Sequence, residues 1–289
     1  MRSALYLTIW DHRFEDTPTH GNVSWTPTEI VARSSNIGTI RMAQLTGEQR
    51  LYETIRAFGF GSRTALDFKG ESKGILAPLS RWNGLSLPNL AIGQGLAVTP
   101  LQMLQVYNTI ANDGVLVPLR LIDGSAALAG TPEPLPVRVL SPEVTSSLMR
   151  MLESVVLTGT GREGVVEGYS VAGKTGTAWQ PCDIGYQCVN ERNELIGRHH
   201  TATFAGIVSN DDGPALVVLV VIDKPKGEHI SGGRLAAPAV SRIAAYALRQ
   251  LRIPAQLDAE PGERRRAEPA TVPQPAIEPD PEADGEART

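Results

Sequence analysis

Lys174-Thr175-Gly176-Thr177, followed by Ala178, sets an ammonium, two hydroxyls and a bare backbone unit in four consecutive residues. The ammonium can hold a substrate carboxylate and bias the proton of a nearby hydroxyl. Gly176 lets a substrate backbone lie against a strand edge, and the hydroxyls of Thr175 and Thr177 can bind a carboxylate. A strand edge also offers a backbone N–H to a developing oxyanion. At average residue usage such a match arises by chance in roughly one chain of this length in a hundred. That outweighs the plain reading, a solvated lysine on an ordinary strand. Ser34-Ser35-Asn36 is weaker, because about one Ser-x-Asn triplet per chain of this size is expected by chance, and Ser and Asn commonly cap a helix interruption. Its place raises it: a break between two helical runs, far upstream of Lys174, suits two groups that meet across a cleft. Cys182 and Cys188 are the only cysteines. They can close a small loop in an oxidising compartment or stand as free thiols in a surface loop, and spacing alone leaves both readings open. With no third cysteine and scattered histidines, no structural zinc site is expected.

The elements that must position these residues are legible in turn. Thr26-Pro27-Thr28-Glu29 is a capping box that opens a helix running towards Arg33. The helix breaks at Ser34-Ser35-Asn36 and resumes from Ile37 to Leu45, and a second spans Glu48 to Phe58. Thr99-Pro100-Leu101-Gln102 repeats the capping box for a helix ending at Gly114, and Ser141-Pro142 opens one ending near Gly159. Two loops, Gly61 to Pro88 and Asp123 to Pro136, separate them. Beyond Gly161, Gly168 to Ala178, Thr201 to Ser209 and Ala215 to Asp223 are β-branched runs bounded by turn residues. Asn210-Asp211-Asp212-Gly213 is a hairpin signal. Val240, Ile243, Ala244, Ala247, Leu248 and Leu251 then share one face of a closing helix. Helices, then an antiparallel sheet, then a helix argue for an α+β fold. One domain is expected over 1–253, its helical part about 26–160 and its sheet and closing helix about 161–253. A Pro-, Glu- and Ala-rich tail over 254–289 is expected to be disordered.

A chain of 289 residues, 42% hydrophobic and 20% charged, is long enough to bury a sizeable core. Its net charge of −4 gives no footprint for nucleic acid. The longest apolar run, Ala215 to Ile222, is too short to span a bilayer. Ser3 to Trp10 stops at Asp11-His12-Arg13, too short for a signal-peptide core, so neither an export signal nor an anchor is expected in this sequence.

Several ordered segments resemble the middle of a class B penicillin-binding protein, most of all the division-associated (septal) transpeptidases. They are Arg33 to Gly38, Phe58-Gly59-Phe60-Gly61, Gly70-Glu71-Ser72, Ile92-Gly93-Gln94-Gly95, Thr99 to Gln102, Ala111 to Gly114 and Gly173 to Ala178. The likeness runs from roughly Asp11 to Leu251. It implies an antiparallel sheet flanked by helices, and acyl transfer from the D-Ala-D-Ala end of a peptidoglycan stem peptide to a neighbouring stem's amine. It implies no metal or organic cofactor and a β-lactam-sensitive site. The intact protein would lie on the extracytoplasmic face of the cell membrane, with division-machinery membrane proteins as partners through a preceding segment. On this resemblance Ser34 passes a proton to and from the amines, and Asn36 orients the substrate amide and the general-base lysine. Lys174 supports the Ser34 hydroxyl and the substrate carboxylate, Thr175 and Thr177 bind that carboxylate, and the Thr177 N–H helps form the oxyanion hole. Gly93, Gln94 and Gly95 are read as packing residues.

The chain departs from the family at the nucleophile. The family set couples Lys-Thr-Gly and a Ser-x-Asn-type triplet to an upstream Ser-x-x-Lys. The five lysines are Lys69, Lys73, Lys174, Lys224 and Lys226, preceded at three residues by Leu66, Gly70, Val171, Val221 and Asp223. No Ser-x-x-Lys exists, so Met1 is expected to fall inside the domain and the chain is expected to be inactive alone. In the family the first two strands precede the nucleophile helix, which implies that Ala215 to Asp223 has lost a neighbour. Two other readings are a non-catalytic remnant that binds a stem peptide or partner, and a serine β-lactamase or β-lactam sensor. The Gly-Gln-Gly and Thr-Pro-Leu-Gln segments and the acidic tail argue against the last.

Overall fold

Capping chemistry sets the helical part. The computed structural model describes residues 2–3, 5–66, 68–121, 135–182, 185–190, 192 and 194–256. Helix α1 (Pro27–Arg33) starts where Thr26 Oγ1 accepts from Glu29 N and the Glu29 carboxylate accepts from Thr26 N at 2.8 Å. It stops at Ser34, and α2 (Asn36–Thr46) begins at once with Ser35 as its cap, Ser35 Oγ accepting from Gly38 N at 2.9 Å. Then come α3 (Glu48–Ala57), α4 (Ser86–Ala91), α5 (Pro100–Ala111, with a second capping box at Thr99) and α6 (Pro142–Leu157, capped by Ser141). The closing helix α7 spans Gly232–Gln250.

Three long strands carry the core: β7 (Ser170–Trp179), β10 (His200–Asn210) and β11 (Gly213–Asp223), antiparallel in the order β11-β10-β7. Four short pairs surround them. They are β1 (Arg2–Ser3) with β4 (Val23–Ser24), β2 (Leu7–Ile9) with β3 (His12–Phe14), β5 (Val115–Leu116) with β6 (Val137–Arg138), and β8 (Cys188–Val189) with β9 (Leu195–Gly197). Alternation along β10 divides the core, since successive side chains of a strand point to opposite faces. Phe204 and Val208 pack under α7 against Ala236, Val240, Ala244 and Leu248, while Ala205 and Ile207 meet Tyr107 and Ile110 of α5 and Leu152 of α6. Each fully buried Val, Leu, Ile or Phe among them contributes about 1.5–3 kcal/mol over leaving it in water, and each Ala less. Helix α1 packs on α6, so the α1–α2 junction hangs from the same layer that covers one face of β7.

The chain is α+β, with the capped helices and the hairpin where the sequence put them. Two details differ. The span Gly61 to Pro88 is not all loop, because a 3-10 turn (Leu79–Arg81) and the start of α4 lie in it. Pro88 lies in the first turn of α4, where Pro is tolerated because its missing N–H has no intrahelical partner anyway. The closing helix begins at Gly232, well before Val240, and carries Pro238 inside it. Of the second expected loop, residues 122–134 lie outside the described residues, as does the tail beyond Gln256. Among the described residues β11 has no strand on its outer side.

Candidate active site

Ser34 ends α1 with φ 58° and ψ 43°, the left-handed region that non-glycine residues seldom occupy. Such a conformation persists only where the surroundings over-determine it, and it clusters at functional sites. Here the determinant is Asp16, a carboxylate only 4% exposed. Its oxygens accept from Ser35 Oγ at 2.6 Å, from Ile37 N at 3.0 Å and from His20 Nε2 at 2.8 Å, so one buried acid fastens the α2 side of the turn. Burial pushes the Asp16 carboxyl up, but the hydrogen bonds from Ser35, His20 and Ile37 outweigh it and hold the group below its ordinary value. His20 is raised by its bond to the Gly21 carbonyl and by Asp16. Asn36 Nδ2 donates to the Glu15 carbonyl at 2.8 Å, which commits one end of its amide and leaves Oδ1 as the end able to accept a substrate N–H.

Opposite lies β7, an edge strand. Its register against β10 pairs Gly176 with Thr203 and Ala178 with Thr201, without a shift, and just past its end Gln180 N donates to His199 O at 2.9 Å. Hydrogen-bonded and non-hydrogen-bonded pairs alternate in an antiparallel ladder. Ala178, Gly176 and Lys174 therefore bond inward to β10, and the N–H and C=O of Thr177 and Thr175 leave the sheet at its unpaired edge. The Lys174 ammonium agrees, reaching the Thr175 carbonyl there at 3.1 Å. A Cβ at position 176 would run into Thr203 Oγ1, so a larger residue there would displace that cross-strand hydroxyl, before any substrate is considered.

The two halves meet. Lys174 Nζ donates to Ser34 Oγ at 2.7 Å, across 140 residues of sequence. Burial of the part-buried lysine holds its ammonium down at about 8. A hydroxyl that accepts from an ammonium keeps its own hydrogen free to donate, and a lysine near 8 can exchange that proton at neutral pH. Thr175 Oγ1 lies 2.8 Å from Thr160 Oγ1. Thr177 Oγ1 accepts from Gly232 N at 3.1 Å, in the first turn of α7, so the Thr177 hydroxyl proton also remains available to an anion. A Cβ on Gly232 would collide with the Thr203 carbonyl, which is how the helix start comes so close to the strand. Around Lys174 the arrangement thus offers one positive charge, hydroxyl donors and an outward backbone N–H, a set suited to a carboxylate and an oxyanion.

Of the expected residues, Ser34 and Lys174 are in contact, Thr175, Gly176 and Thr177 follow along the same edge, and Asn36 opens α2 two residues after Ser34. Cys182 and Cys188 lie beyond the far end of β7, joined in a disulfide with Cα atoms 5.0 Å apart. Sequence reasoning missed Asp16, Thr160, Gly232 and His199. Thr160 left a trace in Thr158-Gly159-Thr160-Gly161, a turn directly after α6 whose Thr160 N donates to the Ala32 carbonyl of α1 at 3.2 Å.

An α+β domain with a Lys-Thr-Gly edge strand against a Ser-x-Asn turn is the framework shared by penicillin-binding proteins and serine β-lactamases. Residues 6–245 match the family model described as penicillin binding protein transpeptidase domain, and the chain belongs to that family. It is 41% identical over 262 residues to penicillin-binding protein PbpB of Mycolicibacterium smegmatis, covering 86% of this chain and 38% of that protein. It is 30% identical over 243 residues to peptidoglycan D,D-transpeptidase FtsI of Escherichia coli, covering 84% and 38%. Among solved structures, penicillin-binding protein 3 of Mycobacterium tuberculosis complexed with ampicillin superimposes with a TM-score of 0.75 at 33% identity, covering 91% of this chain and 58% of that one. The chain thus spans less than two fifths of the length of these curated relatives. No helix among the described residues is long and apolar enough to cross a membrane.

Proposed function

We propose that this chain supplies the Lys-Thr-Gly and Ser-x-Asn walls of a peptidoglycan D,D-transpeptidase that cross-links the cell wall at division. The observation that carries the reading is the Lys174–Ser34 hydrogen bond, which joins two motifs 140 residues apart into one proton-handling pair. Lys174, Thr175 and Thr177 receive the terminal carboxylate of a stem peptide or the carboxylate of a β-lactam. The outward N–H of Thr177 stabilises the oxyanion of the tetrahedral intermediate. Ser34 returns the proton to the leaving amine and takes it from the attacking one, and Asn36 Oδ1 orients the substrate amide. The nucleophile and its general base belong to a Ser-x-x-Lys that this sequence does not contain. The intact enzyme works on the extracytoplasmic face of the membrane with division-machinery partners.

The test joins the part of Mycolicibacterium smegmatis PbpB that precedes the matched region to this chain, and exposes both the chimera and the chain alone to a fluorescent penicillin. The chimera should carry label that survives denaturing electrophoresis, and the chain alone should carry none. Lys174→Ala should slow labelling of the chimera about 100- to 1000-fold, the usual effect of losing one catalytic donor. Covalent label on the isolated chain, or full-rate labelling of the Lys174→Ala chimera, would refute the assignment.

A further inference from the structure

We propose that the loop closed by Cys182 and Cys188 is a redox-gated metal site. Once the disulfide is reduced, the two thiolates and the imidazole of His199 bind one zinc ion. The three donor atoms lie within 4.8 Å of one another in the folded chain. Cys182 Sγ stands 3.6 Å from His199 Nδ1. Two ligands of one tetrahedral zinc, with Zn–S about 2.3 Å and Zn–N about 2.0–2.1 Å, are separated by about 3.6 Å. That sulfur–nitrogen pair therefore already has the spacing of zinc ligands. Only the sulfurs must part, to about 3.8 Å in the same geometry, and side-chain rotation across Cα atoms 5.0 Å apart provides the room.

Backbone hydrogen bonds hold each donor in addition to the S–S bond. Cys182 N donates to Gly185 O at 2.7 Å, Cys188 pairs with Gly197 in the β8–β9 hairpin, and His199 O accepts from Gln180 N at 2.9 Å. Cys188 is buried while Cys182 and His199 are half-buried, which leaves an open side for a fourth ligand such as water. Two thiolates with one imidazole favour a borderline-soft cation over calcium or magnesium, which take oxygen ligands.

The chemistry balances with an external dithiol. That reductant gives two electrons and two protons to the Cys182–Cys188 bond, becomes a cyclic disulfide, and leaves two thiols. Zinc then displaces both thiol protons and takes the Nδ1 lone pair of the neutral imidazole, the remaining ring proton staying on Nε2. The loop beyond β7 is cross-linked in either redox state, by sulfur when oxidised and by metal when reduced.

The test uses the full chain, reduced with a phosphine and desalted without oxygen, and measures zinc uptake against a chromogenic chelator. The reduced chain should bind one zinc and the oxidised chain none. Cobalt added to the reduced chain should give thiolate-to-metal charge-transfer absorption in the near ultraviolet, a readout that needs no variant. His199→Ala and Cys188→Ser, checked for folding by circular dichroism, should each weaken zinc binding at least tenfold. Equal binding by oxidised and reduced chain, absence of the cobalt band, or wild-type affinity in His199→Ala would each overturn the proposal.

Discussion

Asp16→Asn asks whether the Ser34 turn is held from the buried carboxylate. The amide keeps the shape of the acid but offers one acceptor where the acid offers two. Asn Oδ1 can still accept from Ile37 N, which meets Asp16 Oδ1 at 3.0 Å. The new NH2 then faces the two groups that bonded Oδ2, Ser35 Oγ and His20 Nε2. The serine hydroxyl can rotate and accept, but His20 must give up its proton and its charge-assisted bond. A hydrogen bond to a charged group contributes about 1.5–3 kcal/mol, and a mismatched buried polar group costs about 1–3 more. A total near 3 kcal/mol corresponds to about 6–12 °C in Tm for a domain of this size.

The pH dependence separates this mechanism from general damage. Asp16 has a depressed pKa, so its contribution is complete above the ordinary aspartate value of about 3.9 and is lost as pH falls through the folded value. His20 has a raised pKa, so its contribution is complete below about 6.5 and is lost as pH rises through its folded value. Thermal unfolding followed by circular dichroism should therefore show the widest gap between native chain and variant near pH 5, narrowing on either side. A gap under about 2 °C near pH 5, or one that ignores pH, would show that Asp16 does not hold the turn.

Three further outcomes follow from the site and the sheet. Thr160→Val in the chimera removes the hydroxyl beside Thr175 and should slow penicillin labelling about three- to tenfold, as one neutral hydrogen bond allows, and an unchanged rate would remove Thr160 from the site. Burial holds Lys174 near 8, so capture of a substrate carboxylate by the chimera should fall as pH rises through that value. Lys174→Gln should abolish the step, as read from labelling rate against pH. The outer edge of β11 runs Ala-Leu-Val-Val-Leu-Val-Val-Ile without a charge, a template for intermolecular pairing. Sedimentation of the isolated chain should show association, and Val221→Lys, at a position 43% exposed, should reduce it without loss of fold. A monodisperse native chain would show that the edge is covered.

What the sequence disclosed depended on how far apart the cooperating residues lie. Capping boxes act over three residues, so the starts of α1 and α5 could be read directly from Thr26-Glu29 and Thr99-Gln102. β-branched runs marked the three long strands in the same local way. Ser34 and Lys174, 140 residues apart, could be joined only through the motif resemblance. Asp16, Thr160 and His199 had neither help: each lies in a loop, and Ile37, Thr175 and Cys182, which they meet, stand 15 to 21 residues away. The one feature both local and decisive is strand register. A slip of one residue between β7 and β10 would turn the Thr177 N–H inward and move Lys174 to the face under α7. Gly173 opposes that slip, because a Cβ there would stand 2.6 Å from the Phe204 ring, and only the observed pairing seats a residue without a side chain beside that ring. The glycine before the lysine thus belongs to the candidate site edge as much as the glycine after it: one sets which atoms leave the sheet, and the other admits Thr203 behind them.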